Sequence, residues 1–346
     1  MLLSPALCLL FLSSPGIIAQ PVSSLAQEEA AAEREAAAAQ AWQALPEPGP
    51  APRTSAEREP WFRQRVEVME AFAKEWRGTL TAMQAVHFIG MSRARVFADQ
   101  AGAADLFGEV FKALAARRGD LDRVKKEHGF SLDYFRVAMD YTKALAEADR
   151  FDECESTLKE LVQEESSVQS RLQGLLDELP ILREIRIGAP LPAFSGMDLD
   201  GREVNPGQFK GKVLLIDFWA TWCGPCIREM PNVVAAYDKY HEQGFEILGV
   251  SLDYKITEED QAKAQAAGQR VRPLFDEEAL RAKLADYKMT WRQVYDGAGW
   301  SAALGQRFAI HSIPATILID RKGIIRHKKL RGEKLLEAVA ELLAEK

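Results

Sequence analysis

Cys223 and Cys226, separated by Gly224 and Pro225, are the residues of this sequence best equipped for chemistry. Cysteines at this spacing can close a small-ring disulfide and open it again, exchanging two electrons with another disulfide. The thiolate is the reacting form, so the surroundings of each sulfur decide its role. The preceding run, Val213–Trp219, is apolar and reads as a buried central strand. After Pro225, the residues Ile227, Met230, Val233 and Val234 recur at helical spacing. The pair therefore falls where a strand hands over to a helix, in the helix's first turn. Unpartnered N–H groups and the positive end of the helix dipole point there and favour a thiolate. Cys223 is the expected nucleophile and the more exposed of the two, with Cys226 the expected resolving thiol. Pro225 fits because a first-turn N–H has no partner to lose. The competing use of such a pair, half of a zinc site, lacks a second CxxC or a nearby histidine to complete four ligands. No metal or organic cofactor is expected; the redox-active group is the Cys223–Cys226 disulfide itself.

Asp217 stands out within the apolar strand, between Ile216 and Phe218. Strand alternation puts it on one face with Leu215 and Trp219, and burial there would raise its pKa. Such a carboxyl could accept the proton of Cys226.

The neighbourhood of these residues resembles thioredoxin. Trp222-Cys223-Gly224-Pro225-Cys226 after an apolar strand is the thioredoxin pattern letter for letter. Asp217, six residues before Cys223, matches the buried acid of that family. Pro231 matches the proline of its active-site helix. Ser312-Ile313-Pro314-Ala315-Thr316 matches its cis-proline loop. The opening Gly188-Ala189-Pro190-Leu191-Pro192-Ala193-Phe194 and the extra segment before the proline loop are similar to the TlpA/ResA-like branch of thiol-disulfide oxidoreductases. The resemblance spans 188–346, somewhat under half of the chain. It implies a central mixed sheet with helices on both faces and a cis peptide before Pro314. It also implies that Trp222 shapes access to the dithiol and that Ile313 pairs with an extended substrate segment. Thioredoxins set a lysine against the buried acid. No equivalent is evident here, and where some ResA-like proteins carry a glutamate after the second core strand, Asp253 or Tyr254 stands instead.

The 346 residues allow two domains. A net charge of -7 without a basic tract speaks against nucleic acid as a partner. Four cysteines, the others being Cys8 and Cys154, are too few for a disulfide scaffold. Residues 1–26 are apolar with small residues at Ser24 and Ala26, and read as a secretory signal or an anchor. Residues 27–60, Ala/Glu-rich and then Pro-rich, read as a low-complexity linker. Residues 61–187 have helical periodicity throughout and read as an all-α domain of four or five helices, with Ser131 a candidate cap. Cys154 falls on a helix there as a packing residue. His87, His128 and His311 are expected in surface or core roles.

The chain thus reads as multidomain, an all-α domain followed by an α/β thioredoxin-like one. The expected function is reduction of protein disulfides in the periplasm or cell envelope. Protein thiols and disulfides would be substrates, and a membrane thiol carrier the electron donor. The helical domain is a candidate for binding a protein partner. Two alternatives carry different signatures. In an envelope binding module the CxxC would be idle. A thiol peroxidase would want T-x-x-C, whereas Thr221 stands only two residues before Cys223.

Overall fold

The structure, a computed structural model, describes residues 22–50, 52, 54–164 and 169–345. Cys8 and residues 1–21 of the expected signal lie outside these. The chain divides into two units, Met1–Ala148 and Asp149–Lys346.

In the first unit the described residues form six helices: α1 (Val22–Gln43), α2 (Ser55–Glu75), α3 (Leu80–Arg95), α4 (Gln100–Ala116), α5 (Leu121–His128) and α6 (Tyr134–Glu147). The expected linker, 27–60, is corrected by α1 and α2. Its Ala/Glu-rich part is α1, which packs on α3 and α5. The helix lacks a broad apolar face, and it packs through small residues instead: Ala38 and Ala39 are buried, and Trp42 meets Phe72 edge-on at 5.3 Å. Glu35, 2% exposed, accepts the backbone N–H groups of Leu80 and Thr81 at 2.7 Å each. It thereby satisfies donors that the first turn of α3 leaves without helical partners. Pro60 lies inside α2 rather than in a linker. Ser131 is not the cap of α6. Asp133 takes that place, accepting Arg136 N–H at 2.9 Å, while Ser131 donates its N–H and hydroxyl to Gln84.

The second unit opens with α7 (Phe151–Glu164) and α8 (Gln169–Glu184). The helical region therefore holds seven helices from α2 onward among the described residues, not four or five, and the last two of them fall in the unit that holds the sheet. The reason is packing. Arg183 of α8 pairs with Asp152 and Glu155 of α7, and Leu182 and Ile185 join the hydrophobic core of the sheet.

That sheet follows in β/α alternation. A short antiparallel pair, β1 (Gly196–Met197) and β2 (Glu203–Val204), precedes β3 (Val213–Trp219), α9 (Gly224–Tyr240), β4 (Phe245–Ser251), α10 (Glu258–Ala266) and α11 (Glu277–Asp286). Then come β5 (Arg292–Val294), α12 (Ala303–Arg307), β6 (Ala315–Ile319), β7 (Ile325–Lys328) and α13 (Glu333–Ala344). The strand order is β5-β4-β3-β6-β7. β3, β4 and β5 run parallel, β6 runs antiparallel to β3, and β7 runs antiparallel to β6, which makes the sheet mixed. β3 is central and buried at every position, as its apolar run requires. α9 turns Cys226, Met230, Val233, Ala236 and Tyr240 inward, a stripe at helical spacing. α13 packs against α9 and β3. Thr257 caps α10 in a reciprocal box with Asp260.

Candidate active site

The carboxyl end of β3 presents the dithiol. The ladder closes with Leu252 N–H donating to Trp219 O at 2.8 Å, and the chain then turns through Ala220, Thr221 and Trp222. Asp253, 2% exposed, holds this turn. Its carboxylate accepts Thr221 N–H at 3.0 Å, the Thr221 hydroxyl at 2.6 Å and the Ser251 hydroxyl at 2.9 Å. Asp253 therefore fixes the loop ahead of the cysteines.

Cys223 is the N-cap of α9, with extended backbone at φ -86° and ψ 93°. Its Sγ accepts the Cys226 N–H at 3.2 Å, in the manner of a capping side chain. Pro225 sits in the first turn. The two sulfurs form a disulfide of 2.07 Å, with Cα atoms 5.2 Å apart. Cys223 is 5% exposed and Cys226 2%. Both are buried in this oxidised form, Cys223 slightly less so than Cys226. Trp222 is 50% exposed, and its ring lies 5.8 Å from that of Trp300. Gly299, at φ +60°, brings the Trp300 loop against Tyr254, whose ring leaves no space for a Cβ there.

The Ile313–Pro314 peptide is cis. Ala315 pairs with Phe218 across β3 and β6. The proline loop therefore lies at the same end of the sheet as the dithiol. Ile313 is half-buried and Pro314 buried. His311 is exposed and pairs with Glu178 of α8.

Asp217 is 3% exposed. Burial pushes its carboxyl up to about 7, the Glu229 carboxylate adds to this, and the Arg331 guanidinium opposes it. Glu229 lies on α9, three residues after Cys226. Asp217 stands across from Gly249 of β4 and Thr316 of β6. It is thus a near-neutral acid embedded in the strand that leads to the dithiol. By contrast, burial raises the Cys154 thiol to about 11, so at neutral pH it stays protonated and unreactive.

Glu229 and Arg331 escape a reading of the sequence, and Asp253, which the sequence places after the second core strand, gains its hold on the Thr221 turn only in the fold. Glu229 has the clearest signal, since position i+3 from Cys226 shares its helix face. Arg331 lies more than a hundred residues from Asp217 and carries no local signal.

Residues 186–343 match the Redoxin family. The thiol-disulfide oxidoreductase ResA of Bacillus thuringiensis subsp. konkukian is 29% identical over 160 residues, 46% of this chain and 78% of that protein. The ResA of Geobacillus thermodenitrificans is 43% identical over 68 residues, covering 20% of this chain and 39% of that protein. Among solved structures, the thioredoxin domain of a thiol-disulfide oxidoreductase from Bacteroides vulgatus is 31% identical, covering 46% of this chain and 98% of that one, with a TM-score of 0.35. A thiol:disulfide interchange protein from Bacteroides sp. is 29% identical, covering 47% and 93%, with a TM-score of 0.37. Residues 186–343 of this chain are a ResA-like redoxin domain of the thioredoxin superfamily, a thiol-disulfide oxidoreductase domain that follows an N-terminal helical region.

Proposed function

We propose that the Cys223–Cys226 pair reduces disulfides of other proteins in an extracytoplasmic compartment. The observation that carries this reading is the placement of the dithiol at the N-terminus of α9, with a buried carboxyl poised near neutrality on the preceding strand. The reduced Cys223 thiolate attacks a substrate disulfide. One S–S bond forms between Cys223 and the substrate, and the substrate's other sulfur leaves as a thiolate. Asp217 takes the proton of Cys226, and the resulting thiolate attacks Cys223. The second substrate sulfur is released, and the domain is left in the disulfide form seen in the structure. Two electrons have passed to the substrate. A thiol donor must then restore the dithiol, and a membrane carrier fits a protein outside the cytoplasm. The apolar opening of the chain supports export, and no described helix is long and apolar enough to cross a membrane. Around the site, Trp222, Gly224 and Pro225 shape the approach, and Ile313 beside Pro314 offers backbone to an extended substrate.

The test is trapping. Reduced Cys226→Ser, mixed with disulfide-bonded insulin, should accumulate a mixed disulfide between Cys223 and one insulin chain, and Cys223→Ser should abolish insulin reduction. Alkylation of the reduced protein at mildly acid pH should label Cys223 ahead of Cys226 and Cys154. Equal labelling, or an active Cys223→Ser variant, would sink the reading.

A further inference from the structure

The short crossing from β7 to α13, residues 329–332, is anchored at each of its residues. Lys329 N–H donates to Thr316 O at 2.9 Å, and Leu330 O accepts the Thr316 hydroxyl at 3.1 Å. Arg331 Nη2 donates to Pro314 O at 2.6 Å. Gly332 N–H donates to Glu229 Oε1 at 2.6 Å, and its φ of +57° suits glycine. The crossing is thus fastened to the cis-proline loop on one side and to the active-site helix on the other.

Thr316 is also the cross-strand partner of Asp217. Directly opposed residues of an antiparallel pair stand on the same face of the sheet. The Thr316 hydroxyl meets Leu330, so Asp217 faces the layer that contains the crossing. From β4 and β6 its opposite numbers, Gly249 and Thr316, bring no ionisable group. The charges that act on it come from Glu229 of α9 and from Arg331.

We propose that Arg331 is a positioning residue for dithiol exchange, fastening the carbonyl of the cis-proline loop and supplying the cation that faces Asp217. Arginine suits both tasks. Its guanidinium stays charged at every working pH, and its planar fork can hold a carbonyl while the charge acts on a neighbour. The assignment rests on the reading of Asp217 as the base for Cys226. Removing the Arg331 cation makes an ionised Asp217 less favourable, and removing the Glu229 charge makes it more favourable.

The experiment is a carbon-13 NMR titration of the Asp217 carboxyl in the oxidised protein, beside stopped-flow decay of a Cys223 mixed disulfide with a peptide thiol across pH. Arg331→Met should raise the Asp217 midpoint by roughly half to one pH unit, the smaller end reflecting the exposure of Arg331. Arg331→Lys should return it towards the parent, and Glu229→Gln should lower it. The decay profile should move with the midpoint in each variant. A midpoint unmoved in Arg331→Met overturns the proposal, as does a loss of rate at all pH values that lysine does not rescue. Midpoints that move as expected, beside a parent decay profile that ignores Asp217, would overturn the relay and leave the electrostatic assignment standing.

Discussion

Asp217 has the most consequential environment of any single residue here. Its carboxyl titrates near 7 when folded, against an ordinary value of 3.8. The folded protein therefore binds more protons than the unfolded chain between these two values. Stability contributed by this group is fully present below about 3.8 and is lost as pH rises through about 7. Asp217→Asn removes the ionisation and keeps the shape. Urea unfolding of the oxidised variant and its parent should give matching stabilities in acid. Through the window the variant should gain relative to the parent, with a slope approaching ~1.4 kcal/mol per pH unit. Mixed-disulfide decay in the variant should slow, by less than the ~10²-fold at the low end for general bases, because water can substitute. A variant that is less stable at neutral pH, with an unchanged decay profile, would make Asp217 a structural residue only.

Among the elements, α1 and the loop after β3 depend on single buried carboxylates. Glu35 caps α3 from a different helix, and Arg117 reaches it at 3.3 Å. Glu35→Ala would leave buried N–H groups without a partner. It should cost the helical unit about 2–4 kcal/mol in chemical denaturation, with Glu35→Gln costing less because an acceptor remains. A neutral Glu35→Ala would mean that α1 is dispensable to that unit. Asp253 does the same for the turn at Thr221. Asp253→Ala should slow insulin reduction through a displaced Trp222 loop while the disulfide still forms. An unchanged rate would show that the turn holds its shape without the carboxylate.

On the scale of the whole molecule, α7 and α8 belong with the sheet in one unit. Arg307 reaches Glu184 at 2.6 Å, Gly188 N–H donates to Ile325 O at 2.7 Å, and Leu182 packs on the core. The sheet and its dithiol lie wholly after residue 186. A fragment of residues 186–346 should fold and reduce insulin. One of residues 149–346 should do so with about 1–3 kcal/mol more stability, from the added apolar burial. Equal stability would make α7 and α8 passengers, and an unfolded short fragment would make them part of the core.

The active-site strand, the helix after it, the cysteine pair at its start and the cis-proline loop could be read from residue order. Each is a local pattern: an apolar run, a helical stripe, a Gly-Pro in a first turn, an Ile-Pro dipeptide within its family context. Burial of Asp217 was legible for the same reason, since alternation along a strand is a local rule. What the order of residues concealed is longer in range. α1 looked like a linker because its packing face is made of small side chains rather than large apolar ones. Ser131 looked like a cap because the choice between it and Asp133 rests on Gln84, a residue from another helix. The domain boundary near 187 followed a change in composition, whereas the fold joins α7 and α8 to the sheet by ion pairs and apolar contacts that composition does not record. The partners of Asp217 were concealed most fully. Electrostatic influence depends on distance through the folded protein, and only the β6–β7 hairpin, by returning the chain past Thr316, brings Arg331 to the layer that Asp217 faces.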